Sequence, residues 1–312
     1  AAAQLESSKA FSKNFMRDHN LPTAKFKVFT DIIEATKYVD RQMLPIVIKA
    51  SGLALGKGVI IAETFKDAHQ VLEDILVNKV FGDAGNEVII EEFMTGPEIS
   101  THAFSDGVTY KLFPVSQDHK RVGEDDTGSN TGGMGTISPL PFVDNELIDS
   151  IEKNIVAPTF EAMNNLGIPF EGVLYPGLML TVAGPKILEY NARFGDPETQ
   201  IYMRLLETDL LDIIDACVDK KLSEIDIKWK NKACCNIVLA SGGYPNAYEK
   251  GKAITGIEEA ELSKDIIVFH AGTTMKDGVL VTNGGRVIGV SAMADTLEDA
   301  LKLAYDAIPK IS

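Results

Sequence analysis

The chain has 312 residues, 45% apolar and 24% charged, the balance of a globular protein large enough for two or three subdomains. Its 45 acidic against 30 basic side chains leave a net charge of −15, which repels phosphate backbones and anionic lipid, so no nucleic acid and no membrane is expected as a partner. No apolar run approaches the ~20 residues of a bilayer span, and the three cysteines, Cys217, Cys234 and Cys235, form no CxxC pair, so zinc and redox roles fall away and a cytoplasmic setting is expected.

Leu5, Phe11, Phe15 and Met16 recur at helical spacing over 4–19, and Leu21-Pro22 ends that segment. A strand is predicted at 25–29, then a helix capped by Asp31 and running to about Gln42. Residues 46–48 form a compact apolar strand, and the glycine-rich turn 52–58 leads into another at 59–62. A helix over 65–80 and a strand at 88–90 complete a small α+β unit over roughly 23–92. Strands near 98–105 and 108–115 flank the turn Ser105-Asp106-Gly107. The polar, glycine-rich stretch 117–135 is too long for an ordinary connection. A helix over 144–166, strands at 171–181 and 185–193, and a helix over 208–220 follow. From about 226 the pattern shortens to strands, with Thr282-Asn283-Gly284-Gly285 predicted as the turn of a hairpin joining 279–281 to 287–290.

Three segments carry chemistry. In Lys186-Ile-Leu-Glu-Tyr-Asn-Ala-Arg-Phe-Gly-Asp-Pro-Glu198, strand alternation puts Glu189, Asn191 and Arg193 on one face. A carboxylate and an amide oxygen two residues apart suit magnesium, a hard cation that also holds substrate phosphates. An arginine one step further can fork onto a carboxylate or phosphate. The bland alternative is an amphipathic edge strand with a solvated polar face. In 46–58, Lys49 ends an apolar strand, where its charge is costly unless it meets an anion. The glycines beyond it, Gly56 and Gly58 on either side of Lys57, let backbone amides approach phosphate oxygens. No Ser or Thr follows Lys57, so the pattern is not a P-loop, and a hairpin with exposed lysines is the alternative. In 88–98, the hinge Glu91-Glu92-Phe93-Met94 can pair its backbone with an adenine edge while Glu98 accepts from ribose hydroxyls. An ordinary strand end with solvated acids is the alternative there.

Together these segments resemble the ATP-grasp fold. With Asp118-His-Lys-Arg, Asn130-Thr-Gly-Gly-Met-Gly135 and Asn191-Ala-Arg-Phe-Gly-Asp-Pro-Glu-Thr-Gln200, nearly the whole chain is similar to the glycinamide ribonucleotide synthetases. The resemblance implies an α+β chain with a linking helix at 1–22, an ATP-grasp lid subdomain at 23–92, a central subdomain at 93–225 and a C-terminal β-rich domain at 226–312. It implies that Lys49 binds ATP phosphates, that the loop with Gly56, Lys57 and Gly58 closes over them, that Glu91, Glu92, Phe93 and Met94 form the adenine hinge, and that Glu98 takes the ribose. Glu189 and Asn191 would hold Mg2+ or Mn2+, and Arg193 with 195–198, Asp196 included, would seat glycine and an acyl phosphate. The 119–135 loop would shape the acceptor side, and its His119 is the one histidine with a functional position. The implied reaction joins glycine to 5-phosphoribosylamine through glycyl phosphate, giving glycinamide ribonucleotide, ADP and phosphate in purine synthesis. Ser51, Leu55 and Ile137 depart from the family's usual residues, none at an expected reacting atom. The family's N-terminal α/β domain and closing strand are expected to lie outside this chain, which would be a piece of something longer. Another ATP-grasp carboxylate–amine ligase, a nucleotide-binding fragment without chemistry, and a part fused to other purine-synthesis domains stay open as alternatives.

Overall fold

Ser8 divides the expected opening helix. Its backbone is extended and its hydroxyl accepts the Phe11 amide, so α1 (Gln4–Ser7) stops and α2 (Lys9–Asp18) starts there. The structure, a computed structural model, describes residues 1–54 and 58–312; Gly56 and Lys57 of the expected phosphate loop lie outside the described residues. After α2 come β1 (Phe26–Phe29), α3 (Ile32–Val39), β2 (Ile46–Ala50), β3 (Val59–Ala62), α4 (Phe65–Leu76) and β4 (Val88–Glu92). Asp31 caps α3 by accepting the Glu34 amide, and Thr64 caps α4 by accepting that of Asp67. Short strands β5 (Glu98–Ser100), β6 (Ala103–Asp106), β7 (Tyr110–Leu112), β8 (Gln117–Asp118) and β9 (Gly135–Ser138) follow. The expected 144–166 helix is α5 (Asn145–Ile151) and α6 (Ala157–Asn165) joined by a π-helical turn, Glu152–Val156, where Pro158 has no N–H to offer the ladder. The remainder is β10 (Glu171–Thr181), β11 (Gly184–Asn191), α7 (Glu198–Leu205), α8 (Leu210–Val218), β12 (Ala233–Ala240), α9 (Ile257–Ala260), β13 (Ile266–His270), β14 (Thr273–Lys276), β15 (Val279–Thr282), β16 (Arg286–Ala294) and α10 (Leu297–Ala307).

These elements form two compact units, residues 1–99 with 145–193, and residues 100–144 with 194–312. In the first, β1, β4, β2 and β3 make an antiparallel sheet in that order. Its Ile46, Ile48, Val88 and Ile90 pack with Ala35, Val39, Leu72 and Ile75 of α3 and α4 in a closed core. Each Ile, Val or Leu among them contributes roughly 1.5–3 kcal/mol by leaving water. Period-two alternation therefore turns Lys49 and Glu91 to the opposite face, away from the helices. The same unit holds the β10–β11 hairpin, whose register slips between Gly177 and Leu178 and leaves Leu188 as an extra, bulged residue on β11.

In the second unit, β6 and β7 form a hairpin, and β13, β16, β12, β9 and β8 form an antiparallel sheet in that order. One of its edges thus comes from the polar 117–138 stretch rather than from the C-terminal residues. α10, capped by Thr296, lays Ala300, Ala304 and Ala307 on Cys235, Val268, Val290 and Ala292. The predicted hairpin at 282–285 is corrected. β15 pairs with β14, and β16 pairs with β12 and β13. The tight turn is Asp277-Gly278, both at positive φ (51° and 78°), the type I′ requirement that an Asp-Gly pair meets. Asn283, Gly284 and Gly285 instead connect strands of two sheets; Gly284 lies so close to Gly272 that a β-carbon would meet its backbone.

Candidate functional site

In the first unit a buried charge cluster occupies the face of the four-stranded sheet that its own helices leave open. Lys49 on β2 and Glu91 on β4 sit one diagonal apart, since Lys49 is opposite Ile89 and Val47 opposite Glu91. Lys49 Nζ is 2.9 Å and Lys13 Nζ 3.2 Å from the same oxygen, Glu91 Oε2. The Glu91 side chain is 2% exposed, and its Oε1 has no hydrogen-bond partner. Burial pushes the Glu91 carboxyl up, but Lys49 and Lys13 outweigh that and hold it below the usual range. Lys13 also donates to Thr23 Oγ1 (2.7 Å), which donates to the Ile187 carbonyl (2.7 Å). Burial pushes its ammonium down to about 8, with Glu91 opposing. Lys9, one helical turn earlier on α2, is lowered by burial too and lies in the fields of Glu189, Lys49, Glu91 and Glu6. Lys13 and Lys49 thus share one buried carboxylate, with Lys9 in its field and donating to the Gly52 carbonyl (3.3 Å). Two buried ammonium groups against one buried carboxylate leave a positive charge of the kind a polyphosphate needs.

Sequence reading missed Lys9, Lys13 and Thr23. The signal was there for Lys13, which lies in the buried stripe of α2 with Ala10, Phe15 and Met16 rather than on its wet face.

The hinge residues separate by role. Glu92 Oε1 accepts from the Lys25 amide (3.0 Å) and Lys186 Nζ (3.2 Å), which outweigh burial and hold its carboxyl low. Phe93 is partly exposed, whereas Met94 packs with Ala24, Met179 and Leu188 in a small apolar patch. Gly96 (φ +146°) crosses the Leu180 carbonyl too closely for any side chain, and Glu98 begins β5, partly buried. Gly58 accepts the Ala50 amide and packs against Ala54 and Ala50, where a β-carbon would collide.

On β11, the bulge turns the Leu188 carbonyl toward Lys49 Nζ at 3.5 Å. Glu189 is exposed and Asn191 buried. Arg193 lies past the strand end, yet its Nη2 donates to Asn191 Oδ1 (3.1 Å) and its Nε to Glu6 Oε1 (2.9 Å), while the Ala192 amide donates to Glu6 Oε2. Glu6 was another missed partner. Among the described residues no set of three His, Cys, Asp or Glu is assembled for a metal. Glu189 and Asn191 stand two residues apart on β11 and carry hard oxygens of the type that suits a cation shared with phosphate and water, the Asn191 oxygen also accepting from Arg193.

The second unit contains the remaining predicted residue, Asp196. Arg286 clasps it, donating Nη1 to its carbonyl (2.9 Å) and to that of Gly132 (2.7 Å), and Nη2 to Asp196 Oδ2 (2.8 Å). Tyr244 OH accepts the Gly132 amide at 2.9 Å. Two buried acids lie next to these glycine turns. Glu198 accepts from Ser100 Oγ (2.9 Å) and lies against Gly195; Asp118 lies against Gly133. His102 and Ser116 share the hydroxyl of Tyr202, at 3.1 and 2.7 Å. His119 is less central, its ring contacting the Gly123 carbonyl at 3.3 Å.

Comparison with known proteins identifies the family. Residues 7–199 match the family model "Phosphoribosylglycinamide synthetase, ATP-grasp (A) domain", and 234–312 match that family's C domain. A phosphoribosylamine–glycine ligase of Vibrio parahaemolyticus is 48% identical over 313 residues, covering 100% of this chain and 73% of the relative. A bifunctional purine biosynthetic protein of Schizosaccharomyces pombe is also 48% identical, over 99% of this chain but only 39% of its own length. The crystal structure of a phosphoribosylamine–glycine ligase from Thermotoga maritima superposes with a TM-score of 0.89 at 35% identity, covering 99% of this chain and 77% of that one. No helix among the described residues is long and apolar enough to cross a membrane. With both matched models drawn from one family and the likeness extending along the whole chain, this protein belongs to the phosphoribosylglycinamide synthetases, a family of ATP-grasp enzymes.

Proposed function

We propose that the chain carries out the ATP-dependent joining of glycine to 5-phosphoribosylamine, through glycyl phosphate, to give glycinamide ribonucleotide, ADP and phosphate. The observation that carries this reading is the Lys13–Glu91–Lys49 cluster, with Lys9 beside it, on the sheet face opposite the α3–α4 core. A carboxylate is a poor electrophile, so the glycine oxygen first attacks the γ-phosphorus of ATP. The amine then displaces phosphate from the acyl carbon.

In this reading Lys49, Lys13 and Lys9 neutralise the polyphosphate. Their desolvated ammonium groups are already in place before ATP arrives, so little reorganisation opposes the developing charge. The hinge 91–94 offers backbone groups to the adenine edge and its Met94 patch offers an apolar seat, with Glu98 placed for the ribose. Glu189 and Asn191 would hold Mg2+ or Mn2+, which supplies charge neutralisation across the phosphates. Arg193, oriented by Glu6 and Asn191, and Asp196, oriented by Arg286, position glycine and its phosphate. The 23–92 segment serves as the lid that excludes water from an acyl phosphate, with 93–225 as the central subdomain and 226–312 as the C-terminal domain. The three free cysteines support a reducing cytoplasm as the setting.

The test is release of ADP from Mg-ATP with glycine, with and without 5-phosphoribosylamine, beside Asn191→Ala. Release that requires both substrates and is lost in the variant is expected. Release with glycine replaced equally well by other carboxylates would refute the assignment.

A further inference from the structure

Lys13 and Lys49 share one oxygen of Glu91 but are held in unlike ways. The Lys13 side chain is 3% exposed and donates to Thr23 Oγ1 at 2.7 Å. Thr23 is itself fixed to β11, through its bond to the Ile187 carbonyl and the bond from the Ile187 amide to the Pro22 carbonyl (2.8 Å). The Phe26 ring lies beside the same ammonium, its centroid 5.9 Å away. Lys49, the last residue but one of β2, is the more exposed at 8%, and its further contact, the Leu188 carbonyl, is a long 3.5 Å away. A cation fixed by Thr23, Glu91 and Phe26 cannot turn toward a ligand. One with a long, weak second bond can.

The carboxylate between them sets a condition on such a turn. Both ammonium groups meet Oε2, and among the described residues Oε1 has no hydrogen-bond partner. A buried acid stripped of both cations would be left uncompensated, which is strongly unfavourable. With Lys13 in place, Lys49 can leave and the acid stays paired.

We propose that Lys13 is a positioning residue that releases Lys49 for the nucleotide: it keeps Glu91 paired while the Lys49 ammonium moves from Glu91 Oε2 to a phosphate oxygen. This rests on the ligase reading above and deepens it, by giving the two lysines different tasks within the first unit. Without Lys13, Lys49 would be the principal counterion of Glu91. Binding a phosphate would then break a buried ion pair, and the stranded carboxylate would oppose the incoming anion.

The experiment titrates the intact protein with adenosine, Mg-ADP and Mg-ATP by calorimetry. Adenosine reports the hinge, and the added phosphates report Lys49. Lys13→Met is expected to leave adenosine affinity within about twofold while Mg-ADP and Mg-ATP bind ~10–100-fold more weakly. In a Glu91→Gln background there is no carboxylate to hold, so the same substitution should change Mg-ADP affinity by less than about threefold. An equal loss in both backgrounds would make Lys13 one more positive charge near the phosphates. An equal loss for adenosine would make it a structural residue. Either result, or unchanged Mg-ADP affinity in Lys13→Met, would overturn the proposal. If Lys13→Met does not fold, a structure of the wild-type protein with Mg-ADP decides: Lys49 on a phosphate oxygen with Lys13 still on Glu91 is expected, and Lys49 still on Glu91 would overturn the release. A wild-type protein that binds none of the three nucleotide probes would overturn the ligase reading itself.

Discussion

Replacing Glu91 by glutamine tests the electrostatic core of the first unit. The substitution preserves shape and backbone but removes the anion that Lys13 and Lys49 share at 3.2 and 2.9 Å. All three side chains are nearly excluded from water, at 2%, 3% and 8% exposure. Removing one member of a buried ion pair costs about 3–5 kcal/mol, because the partner charge is left uncompensated. At roughly 2–4 °C of midpoint per kcal/mol for units of this size, Glu91→Gln should melt some 6–20 °C lower. A polyphosphate would replace the missing charge. Mg-ATP should therefore raise the melting temperature of the variant more than that of the wild type. The assay is thermal or urea unfolding of both proteins with and without Mg-ATP. A variant within about 1 kcal/mol of wild type would refute the claim that this carboxylate holds the lysines. Equal stabilisation of both proteins by ATP would refute the placement of the phosphates beside them.

Two further outcomes follow from the same contacts. The Lys13 ammonium titrates near 8 in the folded chain, below its ordinary 10.5, so the unfolded chain binds more protons between those values. Stability should accordingly rise as pH increases across that window, by up to about 3 kcal/mol, and Lys13→Met should flatten the slope in urea unfolding. Arg286→Ala removes the clasp on Gly132 and Asp196. Hydrogen exchange of amides 131–133 should speed by at least tenfold and the apparent KM for glycine should rise, whereas an unchanged KM would separate Asp196 from glycine binding.

Several features were legible in the linear chain because they depend on neighbours in sequence. The starts of α3 and α4 follow from Asp31 and Thr64, each accepting an amide three residues on, whereas α10 was missed among the strands expected beyond 226. Lys49 at the end of an apolar strand and the alternation through Glu189 and Asn191 also follow from local spacing. The hairpin error has the same local origin. Two glycine-bearing turns competed for β15, and the side whose two residues both take positive φ, Asp277-Gly278, made the tight turn.

What tertiary structure alone decided is which distant charges share a space without water. Lys13 is an ordinary helical lysine until β4 brings Glu91 to it, 78 positions later in the chain. Arg286 meets Asp196 across 90 positions, and Asp118 acquires its raised affinity for a proton only through burial and the nearby charge of Glu198. Residue types and short spacings identify the family and the charged strand faces by pattern, but a pKa or an ion pair depends on desolvation and on charges within a few ångströms. Those distances exist only once the two units have folded.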